Sequence, residues 1–365
     1  MTTDSPASGV SRRRVLAAGA AAAAVPLAAP AVLRADDAVS WTMVTAWPKG
    51  APGVGGSAER FAAMVGAMSG GRLTITVYGA GEIVPAFEAM DAVQQGTADL
   101  LHGSPYFWVG KSSTLNFFTT LPFGMTANEF SAWLRFGGGI ELWRELYGDF
   151  GVTPFYAGSS GVQAGGWFTR PIDTLDDFKG LKFRIAGLGG TVLARLGVNA
   201  VLLPPGEIGP ALLSGAIDGA DWIGPWNDIA FGLYQSAKYY YLPGWHEPGP
   251  SLEISINTQK WQALPADLQA IVENAAAACA EATLADFNFH NIEAYPKLAE
   301  LGVEVRSFSP EIIDKLRELS GEVVAELGAA NELSQRIHDS HMAFLARARA
   351  YAPYAEGGFL ANRNG

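Results

Sequence analysis

The sequence predicts an α/β protein built from two similar lobes with a cleft between them. Short β-rich runs alternate with amphipathic helical stretches, which is typical of βα units around mixed sheets. The chain has 365 residues, more than a single hydrophobic core usually supports. A helix-to-strand spacing motif also occurs twice. Together these observations favour two mixed sheets flanked by helices over one large core.

Residues 1–35 are predicted to be an export leader. The motif SRRRVL (11–16) places adjacent arginines ahead of an apolar, alanine-rich run at 15–33, which indicates the twin-arginine route. Two prolines and the small residues at the end of the run argue against a membrane anchor. Cleavage is expected after Ala31 or Ala35, and the leader has no cysteine to accept a lipid. We therefore expect the mature protein to be free in the periplasm.

The predicted elements alternate along the chain. Strands are predicted at 41–47, 72–78, 152–157, 163–169, 181–186, 219–223 and 252–257, and helices at 57–68, 87–95, 128–147, 190–196 and 207–213. Beyond Pro265 the pattern is helical to residue 351, apart from one short strand at 303–308.

These elements predict the domain organisation. Lobe I is assigned to 36–157, with return segments at 252–308, and lobe II to 158–251. Residues 258–365 are assigned to a mainly helical bracing and C-terminal region. The division rests on chain length and on the change to helical periodicity in the last third of the chain.

A repeated motif marks the ends of two strands. The spacing AxxxGxxD occurs at 92–99 and again at 211–218, where a glycine closes a helix and the chain enters a short strand. The two strands are predicted to finish near His102 and near Asp221. In open α/β sheets ligands bind beyond the carboxyl ends of strands, so these ends are where binding residues are expected.

Charge and motif patterns exclude several functions. The formal net charge is −11 at pH 7, which disfavours nucleic acid and anionic lipid as partners. GVGGSA (53–58) matches a dinucleotide fingerprint, but a five-residue insertion separates it from its strand and the next strand lacks the ribose-binding acid. In GLGG (187–190) valine occupies the third glycine position, so no nucleotide cofactor is expected. GSSG (158–161) is not a nucleophile elbow.

The histidines and the cysteine carry no recognisable catalytic pattern. His338 and His341 are three residues apart on a predicted helix, but no third metal ligand is near them, and both are interpreted as solvated. His246 and His290 are interpreted in the same way. The single cysteine, Cys279, lies in an alanine-rich helical run, so neither an internal disulfide nor a catalytic thiol is expected.

Two charged residues near strand ends are candidate ligand-binding residues. Arg184 closes a short strand before a glycine-rich turn, and its planar guanidinium suits a carboxylate; the alternative is a solvated edge charge. Asp221 lies among aromatic residues, where an unpaired carboxylate is costly. Either Arg184 or a bound cation would neutralise it, and a cation would favour oxygen ligands from Asp221, Gln163 and Glu247.

Four motifs around the candidate residues are distinctive: GVQAGGWF (161–168), GLKFR (180–184), DWIGP (221–225) and YYYLPGW (239–245). In these motifs the sequence resembles the periplasmic solute-binding subunits of tripartite ATP-independent (TRAP) transporters, in the branch that takes up 2-oxoacids and 2-hydroxy acids such as pyruvate and lactate. The resemblance implies the two-lobed periplasmic binding protein fold, with a long helix in the C-terminal part that braces both lobes.

The resemblance also implies roles for individual residues. Arg184 would pair with the substrate carboxylate. Gln163, Asp221 and the Trp222 carbonyl would hold a calcium or sodium ion that bridges to the substrate, with Glu247 as a further ligand. The ion would be the only cofactor.

Further residues would line the pocket. Tyr106 and Phe107 would close it from lobe I, and Trp226 would contribute to its wall. Two positions depart from the family: Asp221 stands where 2-oxoacid binders carry glutamate, and Ser159 stands where some relatives carry a substrate-binding asparagine.

The function implied is capture without chemistry. The lobes would close on a small monocarboxylate, and the closed form would dock on the TRAP membrane permease. A homodimer through the C-terminal helices, as in some relatives, is left open. The alternative function is an exported cofactor-dependent enzyme, since twin-arginine export often serves proteins that fold around a cofactor.

Overall fold

The computed structural model of the protein describes residues 1–3 and 38–364. The predicted twin-arginine motif and both predicted cleavage positions lie outside the described residues. The chain from Val39 onward forms one compact unit. Within the described part of the chain, no helix has the length and apolar character needed to cross a membrane.

The described chain alternates strands and helices up to residue 263, as predicted. The strands are β1 (Val39–Thr45), β2 (Leu73–Tyr78), β3 (Leu100–Gly103), β4 (Val152–Ser159), β5 (Gly166–Phe168), β6 (Lys182–Arg184), β7 (Asn199–Val201), β8 (Gly219–Ala220), β9 (Tyr239–Tyr241), β10 (Ser251–Asn257) and β11 (Glu304–Arg306). The helices are α1 (Val54–Met68), α2 (Ala89–Gln94), α3 (Ala127–Phe136), α4 (Gly139–Gly148), α5 (Gly187–Ala194), α6 (Ile208–Leu213), α7 (Pro225–Ala230), α8 (Thr258–Ala263), α9 (Ala266–Ala294), α10 (Lys297–Glu300), α11 (Pro310–Gly328), α12 (Glu332–Tyr351) and α13 (Glu356–Asn364).

The first sheet has the strand order β2-β1-β3-β10-β4. Strand β1 runs parallel to β2 and β3, whereas β10 is antiparallel to β3 and β4. Strand β10 returns to this sheet after the chain has built most of the second sheet. We call the part of the fold built on this sheet the first half and the part built on the other sheet the second half. The chain crosses between the two halves more than once.

The second sheet has the order β11-β9-β5-β8-β6-β7. Strands β6, β7 and β8 are parallel, and β5 is antiparallel to β8 and β9. Strand β11 pairs with β9 in this sheet. The assignment of a return segment of lobe I as far as residue 308 is therefore wrong for 304–306. The predicted fold class, two mixed sheets flanked by helices, is confirmed.

The long helix α9 contacts both halves of the fold. The N-terminal part of α9 packs on β4 and α1, which belong to the first half of the fold, and Cys279 is fully buried there. The C-terminal part of α9 reaches α7, where the Phe287 ring lies 5.8 Å from the Trp226 ring. The expectation of a long helix in the C-terminal part is confirmed, and its contacts match the predicted bracing role.

The glycine motif at 53–58 has a packing explanation. Gly53 has a φ of +65°, and a Cβ placed on it would lie 2.5 Å from the Phe287 ring. Only glycine fits this close approach between α9 and the loop before α1. The motif therefore reflects packing, in line with the expectation that it binds no nucleotide.

One predicted helix is divided in the structure. Residues 128–147 were predicted as a single helix, but α3 ends at Phe136 and α4 begins at Gly139. Gly138 between them is left-handed, with a φ of +83°, which ends the run of helical conformation. The strands β7 and β9 were not predicted, because three-residue strands carry too little periodicity to be recognised.

His341 is buried, so its interpretation as a solvated residue is wrong. Its ring lies 5.0 Å from that of Trp133, edge to face, and it also contacts Phe117 and Phe130. Burial among these aromatic rings lowers the pKa of His341 to about 3. The ring is therefore neutral at all moderate pH values.

The burial of His341 predicts an acid-sensitive contribution to stability. The pKa of His341 is lower in the folded protein than its unfolded value of 6.5. The neutral ring therefore makes its full contribution to the stability of the folded state above pH 6.5, and this contribution is lost as pH falls towards about 3. In His341→Phe, the slope of unfolding free energy against pH should decrease by up to about 1.4 kcal/mol per pH unit in this range. Urea unfolding at a series of pH values measures the slope. His290→Gln, at a half-exposed histidine, is the control, and an unchanged slope in His341→Phe would contradict the prediction.

Candidate ligand-binding and cation site

The ends of two neighbouring parallel strands create the site. Strands β6 and β8 pair so that Arg184 stands opposite Ala220, the last residue of β8. Asp221 follows directly, and its backbone N–H donates to the Arg184 carbonyl at 2.9 Å. Carboxyl ends of parallel strands meet at one edge of a sheet, so the two predicted residues are brought together by the strand register.

Arg184 and Asp221 form a buried ion pair. Each residue is only 1% exposed. The Arg184 Nη1 donates to the Asp221 carboxylate at 2.8 Å and to its carbonyl at 2.9 Å, while Nε donates to the Leu203 carbonyl at 3.2 Å. Nη2 is buried and has no partner among the described residues. Two guanidinium nitrogens, Nε and Nη1, therefore bind other protein groups, and Nη2 is a free donor.

Glu247 and His246 complete a cluster around Asp221. The His246 Nε2 lies 3.3 Å from the Asp221 Oδ2. One ligand atom from each of these three residues lies within 4.8 Å of the others, and all three are buried. The backbone at Glu247 is also fixed by Gln163, whose N–H donates to the Glu247 carbonyl at 3.0 Å. Three separate stretches of chain thus converge on one point.

The cluster is electrostatically unbalanced. Burial raises the pKa of Glu247 well above its ordinary value, the charge of Asp221 raises it further, and Arg184 opposes the rise. Glu247 is 2% exposed. Two acids next to one arginine leave an excess of negative charge in a dry region, and a bound cation would relieve it.

Gln163, whose backbone is bonded to Glu247, carries a further free oxygen. Its Nε2 donates to the Ser160 hydroxyl at 2.9 Å, which fixes the amide. Its Oε1 and the Glu247 Oε2 are buried and, within the described chain, accept no hydrogen bond. An amide oxygen and the carboxylates of Asp221 and Glu247 are the oxygen ligands that a hard cation such as calcium or sodium prefers. The residues present therefore fit the predicted ion.

Trp222 provides a second free donor near Arg184. The Arg184 guanidinium carbon lies 5.7 Å from the centre of the Trp222 ring. The Trp222 Nε1 is buried, and no acceptor is found for it in residues 38–364. Together with Arg184 Nη2 it offers two unsatisfied donors, which is the complement that an anion requires.

Tyr106 reaches the cluster from the first half of the fold. Burial raises its pKa well above the ordinary value, and the charges of Glu247 and Asp221 act on it as well. A Cβ on Gly187, at the start of α5, would lie 3.8 Å from Tyr106 Cγ and 3.5 Å from Asn116 Oδ1. The two halves therefore meet at the site.

Three further predicted site residues have no direct contact with the charged cluster among the ring and hydrogen-bond contacts of the described residues. Phe107 packs its ring 4.7 Å from Tyr106, 5.3 Å from Phe87 and 5.6 Å from Trp47. Trp226 stacks on His290 of α9 at 4.2 Å. The Ser159 hydroxyl accepts from the Gly161 N–H at 3.1 Å. Their roles as ligand-binding residues remain predictions.

Sequence reasoning missed two residues at the site. His246 was interpreted as solvated, which is wrong, because its side chain is fully buried. Its position next to Glu247 was the available signal. Asn116 is buried with a free Oδ1 and lies against Gly187. No sequence pattern pointed to it, because it lies on an irregular 3-10 turn far from the other residues in the chain.

Two sheets, a bracing helix and a charged site buried where the two halves meet define a solute-binding receptor. The chain belongs to the bacterial extracellular solute-binding protein family 7 (DctP), whose family model matches residues 43–331. Members of this family are solute receptors of TRAP transporters and not enzymes, so the alternative of an exported enzyme is wrong.

Three relatives illustrate the similarity. The chain is 42% identical over 306 residues to a monocarboxylate 2-oxoacid-binding periplasmic protein of Nostoc sp., covering 84% of each chain. A TRAP solute-binding protein of Bordetella bronchiseptica with bound calcium and picolinate has a TM-score of 0.87 and 37% identity, covering 90% of this chain and 97% of its own. One of Pseudoalteromonas atlantica with bound sodium and pyruvate has a TM-score of 0.86 and 36% identity, covering 89% and 99%.

Proposed function

We propose that the protein captures a small 2-oxo or 2-hydroxy monocarboxylate, such as pyruvate or lactate, together with a calcium or sodium ion. The observation that carries the proposal is the set of unsatisfied buried atoms. Arg184 Nη2 and Trp222 Nε1 are free donors, and Gln163 Oε1 and Glu247 Oε2 are free acceptors. Buried polar groups without partners are costly, so the set calls for an anion and a cation side by side.

Charge balance supports the paired ligand. Ionised Asp221 and Glu247 with one Arg184 leave a single net negative charge. A calcium ion and a monocarboxylate would together neutralise it, whereas either one alone would leave the buried site charged. With both acids ionised, a sodium ion would leave one negative charge, and calcium gives the neutral site. With Glu247 protonated, as its raised pKa favours, sodium and a monocarboxylate give the neutral site. In this arrangement Arg184 binds the carboxylate, and Gln163, Asp221, Glu247 and the Trp222 carbonyl hold the ion.

The relatives support a ligand that chelates the ion. Pyruvate and picolinate, bound by the relatives with sodium and calcium, share a carboxylate next to a second donor atom, a 2-oxo oxygen or a ring nitrogen. Such a pair of donor atoms can coordinate a cation from one side while protein oxygens coordinate it from the other. We extend this requirement to the present chain, because its buried site offers both free donors, Arg184 Nη2 and Trp222 Nε1, and free acceptors, Gln163 Oε1 and Glu247 Oε2.

Closure of the cleft would couple capture to delivery. The Asn227 Nδ2 on α7 donates to the Pro52 carbonyl at 2.7 Å across the two halves, and Pro48 lies against Gly206. A ligand that contacts both halves would favour this closed arrangement over an open one. The closed receptor would then deliver its ligand to the TRAP permease in the membrane. Twin-arginine export to the periplasm is part of the same proposal, and a homodimer through the C-terminal helices stays an open alternative.

A thermal-shift screen tests the proposal. The mature protein, treated with chelator, is mixed with pyruvate, lactate, longer 2-oxoacids, C4-dicarboxylates and sugars, with and without calcium or sodium. A monocarboxylate should raise the melting temperature saturably in the presence of the ion, because ligand that binds only the folded state stabilises it. The shift should disappear without the ion. Stabilisation by dicarboxylates or sugars alone, independent of any metal, would contradict the proposed ligand.

A further inference from the structure

His246 occupies an unusual position between the two acids. Its side chain is fully buried and its Nε2 faces the Asp221 Oδ2 at 3.3 Å. Its Nδ1 is buried too, without a partner in the part of the chain that the structure describes. Because a carboxylate can only accept, the contact with Asp221 places a proton on Nε2.

The fold makes specific room for this ring. A Cβ on Gly189 would lie 3.1 Å from the His246 Cβ and 3.2 Å from its Cδ2, and the Trp245 ring lies 5.2 Å from it on another side. The same Cβ would lie 2.7 Å from the Ile185 Cδ1, so a side chain at Gly189 would displace Ile185 as well as the imidazole. Packing against Gly189 and Trp245 and the contact with Asp221 together position the ring.

Asp221 has three partners in the proposed site. Its Oδ1 accepts from Arg184 at 2.8 Å, and its Oδ2 faces His246 at 3.3 Å. The proposed ion needs an oxygen from the same group. Each carboxylate oxygen has two lone-pair sites, so the arrangement works only if the carboxylate plane is fixed. Without His246, Asp221 could turn both oxygens towards Arg184.

We propose that His246 is a positioning residue for the cation site, which rests on the proposed function. Its Nε2–H donates to Asp221 Oδ2 and fixes the carboxylate so that Oδ1 serves Arg184 while the second lone pair of Oδ2 serves the ion. His246 itself does not ligate the ion, since calcium and sodium take oxygen ligands. Its role is the one that outer hydrogen bonds play at metal sites, where they orient a ligand and raise affinity.

The test compares three substitutions of the same residue. Glutamine places an N–H close to where the imidazole Nε2 lies, asparagine places its amide near Nδ1, and alanine removes both. Calcium affinity is measured by titration calorimetry on the chelated protein without carboxylate, and then pyruvate affinity at saturating calcium. His246→Ala and His246→Asn should bind calcium about 10–100-fold more weakly than wild type, the range typical of lost orienting bonds. His246→Gln should stay within a few-fold.

The controls separate positioning from folding and from direct ligation. His290→Gln changes a half-exposed histidine outside the cluster and should bind calcium as wild type does. Melting temperatures in chelator identify any variant that fails to fold. In wild type, ¹⁵N NMR of the imidazole should show the Nε2–H form in both the chelated and the calcium-loaded protein.

The outcomes distinguish this inference from the proposed function. Equal losses in all three variants would mean that the ring only packs, and unchanged affinity in all three would mean that it has no role; both overturn the inference while wild type still binds. Loss of the Nε2 proton on metal binding, with zinc or manganese preferred over calcium, would mean direct ligation and overturn it as well. A wild-type protein that binds neither calcium nor a carboxylate would overturn the proposed function and the inference together.

Discussion

Arg184→Ala should lose carboxylate binding by at least about 100-fold, which corresponds to roughly 3 kcal/mol. The variant removes the free Nη2 donor intended for the ligand. It also leaves Asp221 and Glu247 without their only arginine, in a region from which water is excluded. Removing one partner of a buried ion pair costs about 3–5 kcal/mol, so the unfolding free energy should fall as well. Calorimetry with pyruvate in calcium and urea unfolding measure the two effects.

Two further variants sharpen this result. Arg184→Lys keeps the charge but loses the planar fork, and it should bind with intermediate affinity. Arg195→Ala removes a surface arginine that pairs with Glu322 and Glu326 on α11, and it should leave ligand affinity unchanged. Wild-type affinity in a folded Arg184→Ala would show that the carboxylate binds elsewhere.

Asp228→Ala should produce the largest loss of stability, at least about 4 kcal/mol. Its Oδ1 accepts from the backbone N–H groups of Ile223 and Gly224 at 3.0 and 3.1 Å. Its Oδ2 accepts from Trp167 Nε1 and the Tyr240 hydroxyl, both at 2.8 Å. Alanine leaves these four buried donors without an acceptor, and each unsatisfied donor costs about 1–3 kcal/mol. Urea unfolding at pH 7 measures the loss.

The same residue ties stability to the ligand site. Ile223 and Gly224 directly follow Trp222, so a folded Asp228→Ala should also bind ligand more weakly because this loop loses its anchor. Asp314→Ala is the control, since Asp314 pairs with Arg317 on the exposed side of α11. A loss of less than about 1 kcal/mol in Asp228→Ala would mean that the four donors find other acceptors.

The charge state of Asp228 adds a pH signature. Burial raises its pKa to about 6, although its hydrogen bonds oppose the rise. A raised folded pKa means that the folded form binds its proton more tightly than the unfolded chain does. The contribution of Asp228 to stability therefore falls as pH rises from about 4 to about 6, opposite in sign to that of His341. Asp228→Asn, which does not titrate, should lack this component.

The contrast between Arg184 and His246 explains which site residues were predictable. Arg184 ends β6 and Asp221 directly follows β8. Binding residues are expected at the carboxyl ends of strands, so local pattern was enough to select both as candidates, although the partner of Asp221 was left open between Arg184 and a cation. His246 lies in an irregular segment between β9 and β10. Its side chain direction is set by contacts with Gly189 and Trp245, and a lone histidine in a loop carries no periodic signal.

The roles of the glycines at 53–58 and 187–190 also could not be read from the sequence. At 53–58 and 187–190 the sequence matched or approached nucleotide fingerprints, and only weak contextual arguments excluded them. In the structure Gly53 makes room for Phe287, and Gly189 makes room for His246. A glycine demanded by close packing and one demanded by a phosphate look identical in sequence, because both positions only require the absence of a side chain.

Local periodicity and residue chemistry are enough to predict the α/β class, the order of most strands and helices, and Arg184, Asp221, Gln163 and Glu247 as candidate binding residues. The tertiary fold is needed to show that β10 inserts between β3 and β4, that β11 joins the second sheet, that His246 faces Asp221, and that Asn116 lies against Gly187. These are contacts between residues far apart in the chain. They are selected by packing and by the cost of leaving buried polar groups unsatisfied, and neither term is visible in any single stretch of sequence.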